Sequence, residues 1–174
     1  MKNYNLLVST SRYNEENARA ELWFILLMCG DEYPIIFHPD LSGLFTAYTN
    51  LDTRKVISQI KSLFSRDREL VRYILKFVPI EFVCETDLTI INQIVKANYG
   101  TYINKGEKFR IRIKKRNNEH VKRDKYVKKV AENLHNPVDL EEPEKIIRLE
   151  IIGNVCGISF LKPGDIIKPK SKAS

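Results

Sequence analysis

The run KFRIRIKKR, residues 108–116, admits few structures. Phe109, Ile111 and Ile113 alternate there with Lys108, Arg110, Arg112, Lys114 and Arg116. Successive side chains of a strand point to opposite faces, so a period of two predicts a strand with one face in a core. The other face then carries five cations in a row, about 6.6 Å apart at roughly 3.3 Å per residue. That spacing is comparable to the spacing of phosphates along a nucleic-acid strand.

The next segment repeats the pattern at helical period. Val127, Val130, Ala131 and Leu134 form an apolar stripe within a predicted helix over 121–134. Lys122, Lys125 and Lys129 fall on the opposite face, flanked by Arg123 and Lys128. Between Lys105 and Lys129 there are 12 Lys or Arg against 3 acids, while the rest of the chain has 17 against 19. The whole positive excess of this +7 chain therefore lies in one short segment. Like charges so close together repel, and a polyanion relieves that cost. A solvated basic face, or a strand paired with Glu141, Glu142 and Glu144, is the alternative. Tyr99, Tyr102 and Tyr126 lie near enough in sequence to offer base stacking, although packing would also explain them.

Upstream, extended patterns at 4–9, 35–38, 43–48 and 71–78 alternate with helical patterns at 14–29 and 53–65. Asn14 and Asp52 are the predicted N-caps, and Gly30 ends the first helix. The β-α-β-β-α-β order predicts a ferredoxin-like domain over 1–78. Pro79 marks the boundary. A second domain over 79–168 starts with PIEFVCET, and Asp87 caps a predicted helix at 88–98 with Gly100 just beyond it. The basic strand and helix follow, then strands at 146–152 and 155–161 joined by a tight turn at Gly153–Asn154. Residues 169–174 form a tail. The fold class is α+β, with the two domains packed closely.

Several functions find no support. LWFILLMCG, residues 22–30, is the longest apolar stretch and falls short of the roughly 20 residues a spanning helix needs. The first residues lack a signal-peptide pattern, so a cytoplasmic location is expected. Cys29, Cys84 and Cys156 are far apart and sit in apolar segments, without metal spacing, which predicts buried reduced thiols. His38, His120 and His135 have no nucleophile pattern around them, and no glycine-rich phosphate loop is present. No catalytic residue, metal site or cofactor is expected.

The runs RYILKFVPIEFVCETDL, FRIRIKKR and VDLEEPEKIIRLEIIGNVCGISFL together resemble the THUMP domain of RNA-modification enzymes. The resemblance implies a ferredoxin-like N-terminal domain followed by a THUMP domain of mixed sheet and helices. It also implies tRNA binding at the acceptor stem and 3′ CCA end. RNA contacts would then fall to Lys108, Arg110, Arg112, Lys114, Arg116, Lys122, Arg123, Lys125 and Lys129. Asn154 and Gly157 match the closing-strand motif. Few residues follow the last predicted strand, so the chain looks most like stand-alone THUMP proteins. These are similar to the adaptor of the tRNA cytidine acetyltransferase, which implies a separate modification enzyme as partner. Two other readings stay open. One is a protein-interaction subunit that presents its basic face to an acidic partner. The other is an orphan RNA-modifying enzyme.

Overall fold

A computed structural model describes residues 3–38 and 41–169. They divide into two compact units, Asn3–Ile80 with the segment beginning at Gly164, and Glu81–Pro163. Residues 164–168, read from the sequence as part of the second domain, go with the first. Ile167 exchanges backbone hydrogen bonds with Phe77 (2.9 and 3.2 Å) and joins the first unit's core. Asp165 forms ion pairs with Arg54 and Lys61. Of the expected tail, all but Pro169 lies outside the described residues. Among those residues no helix is long and apolar enough to cross a membrane.

The first unit runs β1 (Leu6–Thr10), α1 (Glu15–Met28), β2 (Ile35–Phe37), β3 (Leu44–Tyr48), α2 (Thr53–Arg66) and β4 (Ile74–Pro79). Its antiparallel sheet has the order β2-β3-β1-β4. Leu6, Val8, Phe45, Ala47 and Phe77 share one core with Leu22 and Ile25 of α1 and Val56 and Ile60 of α2. Asp52 caps α2 by accepting the Lys55 amide (2.8 Å). Asn14 does not cap α1. Its side-chain amide nitrogen, Nδ2, donates to Ser11 Oγ instead (2.9 Å). Glu15 accepts the Gly43 amide (2.8 Å) and the Ser42 hydroxyl (3.0 Å); its own backbone amide, then these bonds, hold its carboxyl below the usual range. Gly43 is required there: φ is +75°, and a Cβ would stand 2.8 Å from the Thr10 carbonyl oxygen.

The second unit runs β5 (Phe82–Glu85), α3 (Leu88–Tyr102), β6 (Phe109–Arg116), α4 (Arg123–Ala131), β7 (Lys145–Ile152) and β8 (Val155–Leu161). Its sheet has the order β5-β8-β7-β6. β6 lies parallel to β7, and the other pairs are antiparallel. Both helices pack on one face. Ile91 and Val95 of α3 and Val130 of α4 share a core with Phe109, Ile113, Ile147, Leu149, Cys156 and Ile158.

Asp87 caps α3 as expected, accepting the Thr89 and Ile90 amides at 2.8 and 2.9 Å. The helix does not stop before Gly100. Tyr99 before it and Tyr102 beyond it pack against the core, and Tyr102 stacks on Phe160 with ring centroids 4.6 Å apart. That contact outweighs the helix penalty of one glycine, about 1 kcal/mol. Nothing lies within 4 Å of a Cβ built at Gly100. Gly100→Ala should therefore stabilise the chain by roughly 0.5–1 kcal/mol, which the midpoint of urea unfolding measures. α4 is shorter than its apolar stripe suggests. Val121 is buried ahead of it with its amide held by Asn118 Oδ1 (3.0 Å), and a tight Leu134–Ala131 bond ends it.

Candidate nucleic-acid interface

β6 holds the cations by strand alternation. Phe109, Ile111 and Ile113 face α3 and α4, so Arg110, Arg112, Lys114 and Arg116 face away from the helices. The helix cations therefore do not share a face with them. α4 lies on the other side of the sheet, and the two basic sets can meet only around the outer edge of β6. Lys115 points to the helix side and donates to the Val121 carbonyl (2.9 Å).

The strand cations are not equivalent. Lys108 is ion-paired with Asp139 (2.9 Å), and its amide donates to Glu144 (2.9 Å). Arg116 donates from Nη1 to Glu150 Oε2 (2.8 Å). Acid partners thus occur at both ends of the row, but they are Asp139 and Glu150 rather than the expected Glu141, Glu142 and Glu144. The middle of the row differs. Among the described residues, the side chains of Arg112 and Lys114 have no hydrogen bond or ion pair. Arg110 donates from Nη1 to the Leu140 carbonyl (2.8 Å), while its buried Nε has no partner. Partial burial, then the charges of Arg110 and Arg148, pull the Arg112 guanidinium down from its usual value. The site is an uncompensated positive centre.

What builds that centre was hidden in the sequence. In β7, Arg148 and Glu150 lie beside Arg112 and Lys114 in register, with only 3% and 0% of their surface exposed. Arg148 Nε donates to Glu150 Oε1 (2.7 Å). One buried carboxylate thus serves Arg148 and Arg116 together, and Arg112 makes no ion pair with it. Opposite charges two residues apart inside the otherwise apolar IIRLEII were the available signal, because they share a strand face.

The 137–144 loop is fastened along the start of β6. Phe109 donates to the Pro137 carbonyl and Asp139 to the Phe109 carbonyl, both at 2.9 Å. Asp139 Oδ1 also accepts the Glu141 and Glu142 amides (3.0 and 2.9 Å). The Glu142 amide, then Lys108, pull the Asp139 carboxyl down to about 2. A depressed folded-state value stabilises the fold above the unperturbed 3.8 and loses that stabilisation as the pH falls toward 2. Asp139→Asn should flatten the pH dependence of the unfolding midpoint over that window.

The remaining candidate residues spread out. Lys122 stands at the N-cap of α4 without capping it, and Arg123 is the first helical residue. Two cations there oppose the helix dipole, which folding alone does not favour. Lys125 has no recorded partner among the described residues, and Lys129 pairs with Glu132 (2.9 Å). Gly157 sits in β8 between Glu150 and Val83, in the row of Lys114. Asn154 lies at the turn, where Gly153 has φ +55°. Tyr99, Tyr102 and Tyr126 all pack against the core, so packing accounts for these three rings. No group of three or more potential metal ligands occurs among the described residues.

Residues 85–161 match the THUMP domain family. THUMP domain-containing protein 1 of mouse is 29% identical over 128 residues, covering 68% of this chain and 36% of the mouse protein. The Drosophila melanogaster homolog is 28% identical over 108 residues, covering 59% and 33%. The chain spans about a third of the length of these curated relatives. Among solved structures, PH1313 of Pyrococcus horikoshii superposes with a TM-score of 0.71 at 19% identity, covering 95% of this chain and 55% of that one. A 4-thiouridine synthetase solved with RNA and ATP gives 0.57 at 12%, covering 95% and 42%. TrmN of Thermus thermophilus gives 0.59 at 13%, covering 89% and 44%. By the family match, residues 85–161 of this chain are a THUMP domain.

Proposed function

We propose that this protein binds tRNA at its acceptor stem and 3′ CCA end and presents it to a separate modification enzyme. The THUMP domain associates the chain with RNA binding and tRNA modification. The observation that supports this site is the unpartnered pair Arg112 and Lys114 on an edge strand, backed by a buried Arg148. Cations held this way lose their mutual repulsion when phosphate arrives. A-form RNA is met through phosphate, shape and 2′-hydroxyl contacts, which a row of guanidinium groups can supply. Lys122, Arg123 and Lys125 extend the contact around the edge of β6.

The chemistry itself is assigned to the partner, with cytidine N4-acetylation as the reaction served. The adaptor role is what the sequence resemblance to stand-alone THUMP proteins implies. The test is a titration of intact tRNA beside tRNA lacking its 3′ CCA, together with a turnover assay using acetyl-CoA. Tighter binding of the intact form, and product only when an acetyltransferase is added, is the expected result. Equal affinity for both forms would refute end recognition. Product from this chain alone would refute the adaptor role.

A further inference from the structure

Two of the three cysteines, 72 positions apart in the chain, are neighbours in the fold. Cys84 of β5 stands directly opposite Cys156 of β8 in antiparallel register. Facing residues on antiparallel strands have Cα atoms about 4.5–5.5 Å apart, inside the roughly 4.4–6.8 Å range that a disulfide spans. Both side chains point to the α3 and α4 face, which sets the two thiols side by side there; the Cys156 thiol donates to the Gly157 carbonyl (3.7 Å).

Their surroundings differ. Cys156 is fully buried, whereas Cys84 is half-buried and lines an open cavity of about 560 Å³. Glu85, Thr86, Asp87 and Asn154 share that cavity wall. The Cys156 thiol pulls the Cys84 thiol below its usual value against the opposing effects of burial, Asp87 and Glu85. The same contact and burial push Cys156 up. An accessible thiol beside a buried one is the arrangement of an attacking and a resolving cysteine. Cys29 differs from both: it is buried in the first unit's core.

We propose that Cys84 is a peroxide-reactive thiol whose oxidation is resolved by Cys156, closing a disulfide between β5 and β8. The Cys84 thiolate attacks one oxygen of a hydroperoxide. The O–O bond breaks, and the other oxygen leaves as hydroxide, or alkoxide from an organic peroxide, and takes up a proton. Cys84 is left as the sulfenic acid. The Cys156 sulfur then attacks the Cys84 sulfur, loses its proton and expels hydroxide, which leaves as water. Two thiols are oxidised and one peroxide is reduced. Neither step draws on the RNA interface.

The full chain treated with hydrogen peroxide should lose two hydrogens in mass and yield one cross-linked peptide pair, Cys84 to Cys156. Cys156→Ser should instead accumulate a sulfenic acid at Cys84 that dimedone captures. Cys84→Ser should form no intrachain link, and Cys29→Ser should behave as the unmodified chain. Cys84→Ala and Cys156→Ala, checked by circular dichroism, separate lost chemistry from lost fold. A link through Cys29, a link only between chains, or a Cys84 that advances to sulfinic acid with Cys156 still present would overturn the proposal. So would two thiols that stay reduced while a free cysteine control is oxidised.

Discussion

Replacing Arg112 and Lys114 together by glutamate should lower tRNA affinity on the order of 100-fold or more. Each is a cation whose side chain has no partner among the described residues, on the strand face turned away from the helices. A hydrogen bond to a charged group contributes about 1.5–3 kcal/mol, and losing two such contacts reaches that factor. Reversing the sign adds repulsion. Stability should hold or rise slightly, because Arg112 now sits against Arg110 and Arg148 without compensation. The matching double substitution of Lys108 and Arg116 should behave differently. Those side chains already hold Asp139 and Glu150, so it would cost folding as well as binding. Affinity by filter binding or anisotropy, with unfolding curves alongside, separates the two cases.

Glu150→Ala should destabilise the chain by about 3–5 kcal/mol, the usual cost of leaving a buried charge without its partner. Glu150 is fully buried between Arg148 and Arg116, and Arg148 is nearly as enclosed. Removing the carboxylate strands the Arg148 guanidinium inside a strand that is buried along its whole length. Arg148→Met in the same chain should restore much of the loss, since an apolar replacement of a buried ion pair is often neutral or better. Urea unfolding of the single and double variants measures this. A single variant within about 1 kcal/mol of the parent, inside the ordinary range for point changes, would show that Glu150 does not serve as the counter-charge.

Much of the fold could be read from local signals. The period of two in 108–116 specified both the strand and its buried side. Asp52 and Asp87 marked helix starts because their side chains reach amides only two or three residues on. Less legible was whatever depends on distant partners. Lys108 and Arg116 looked like Arg112 in the sequence, yet their acids lie 31 and 34 residues away. The plane of the second sheet splits a basic segment that is continuous in the chain, with the β6 cations on one side and α4 on the other. Cys84 and Cys156 looked like separate buried thiols, because only sheet register brings them together. Gly100 misled for a related reason: its effect is local, and Tyr102 stacking on Phe160 overrides it.

Salt dependence of tRNA binding tests the central claim most directly. Contact with roughly five phosphates predicts a log–log slope of about −3.5 to −4.5 for the unmodified chain. Arg112→Glu with Lys114→Glu should make that slope shallower by about 1.4–1.8, the share of two phosphates. A flat response in the unmodified chain, or one slope shared by both proteins, would contradict the assignment of β6 as the RNA-binding strand.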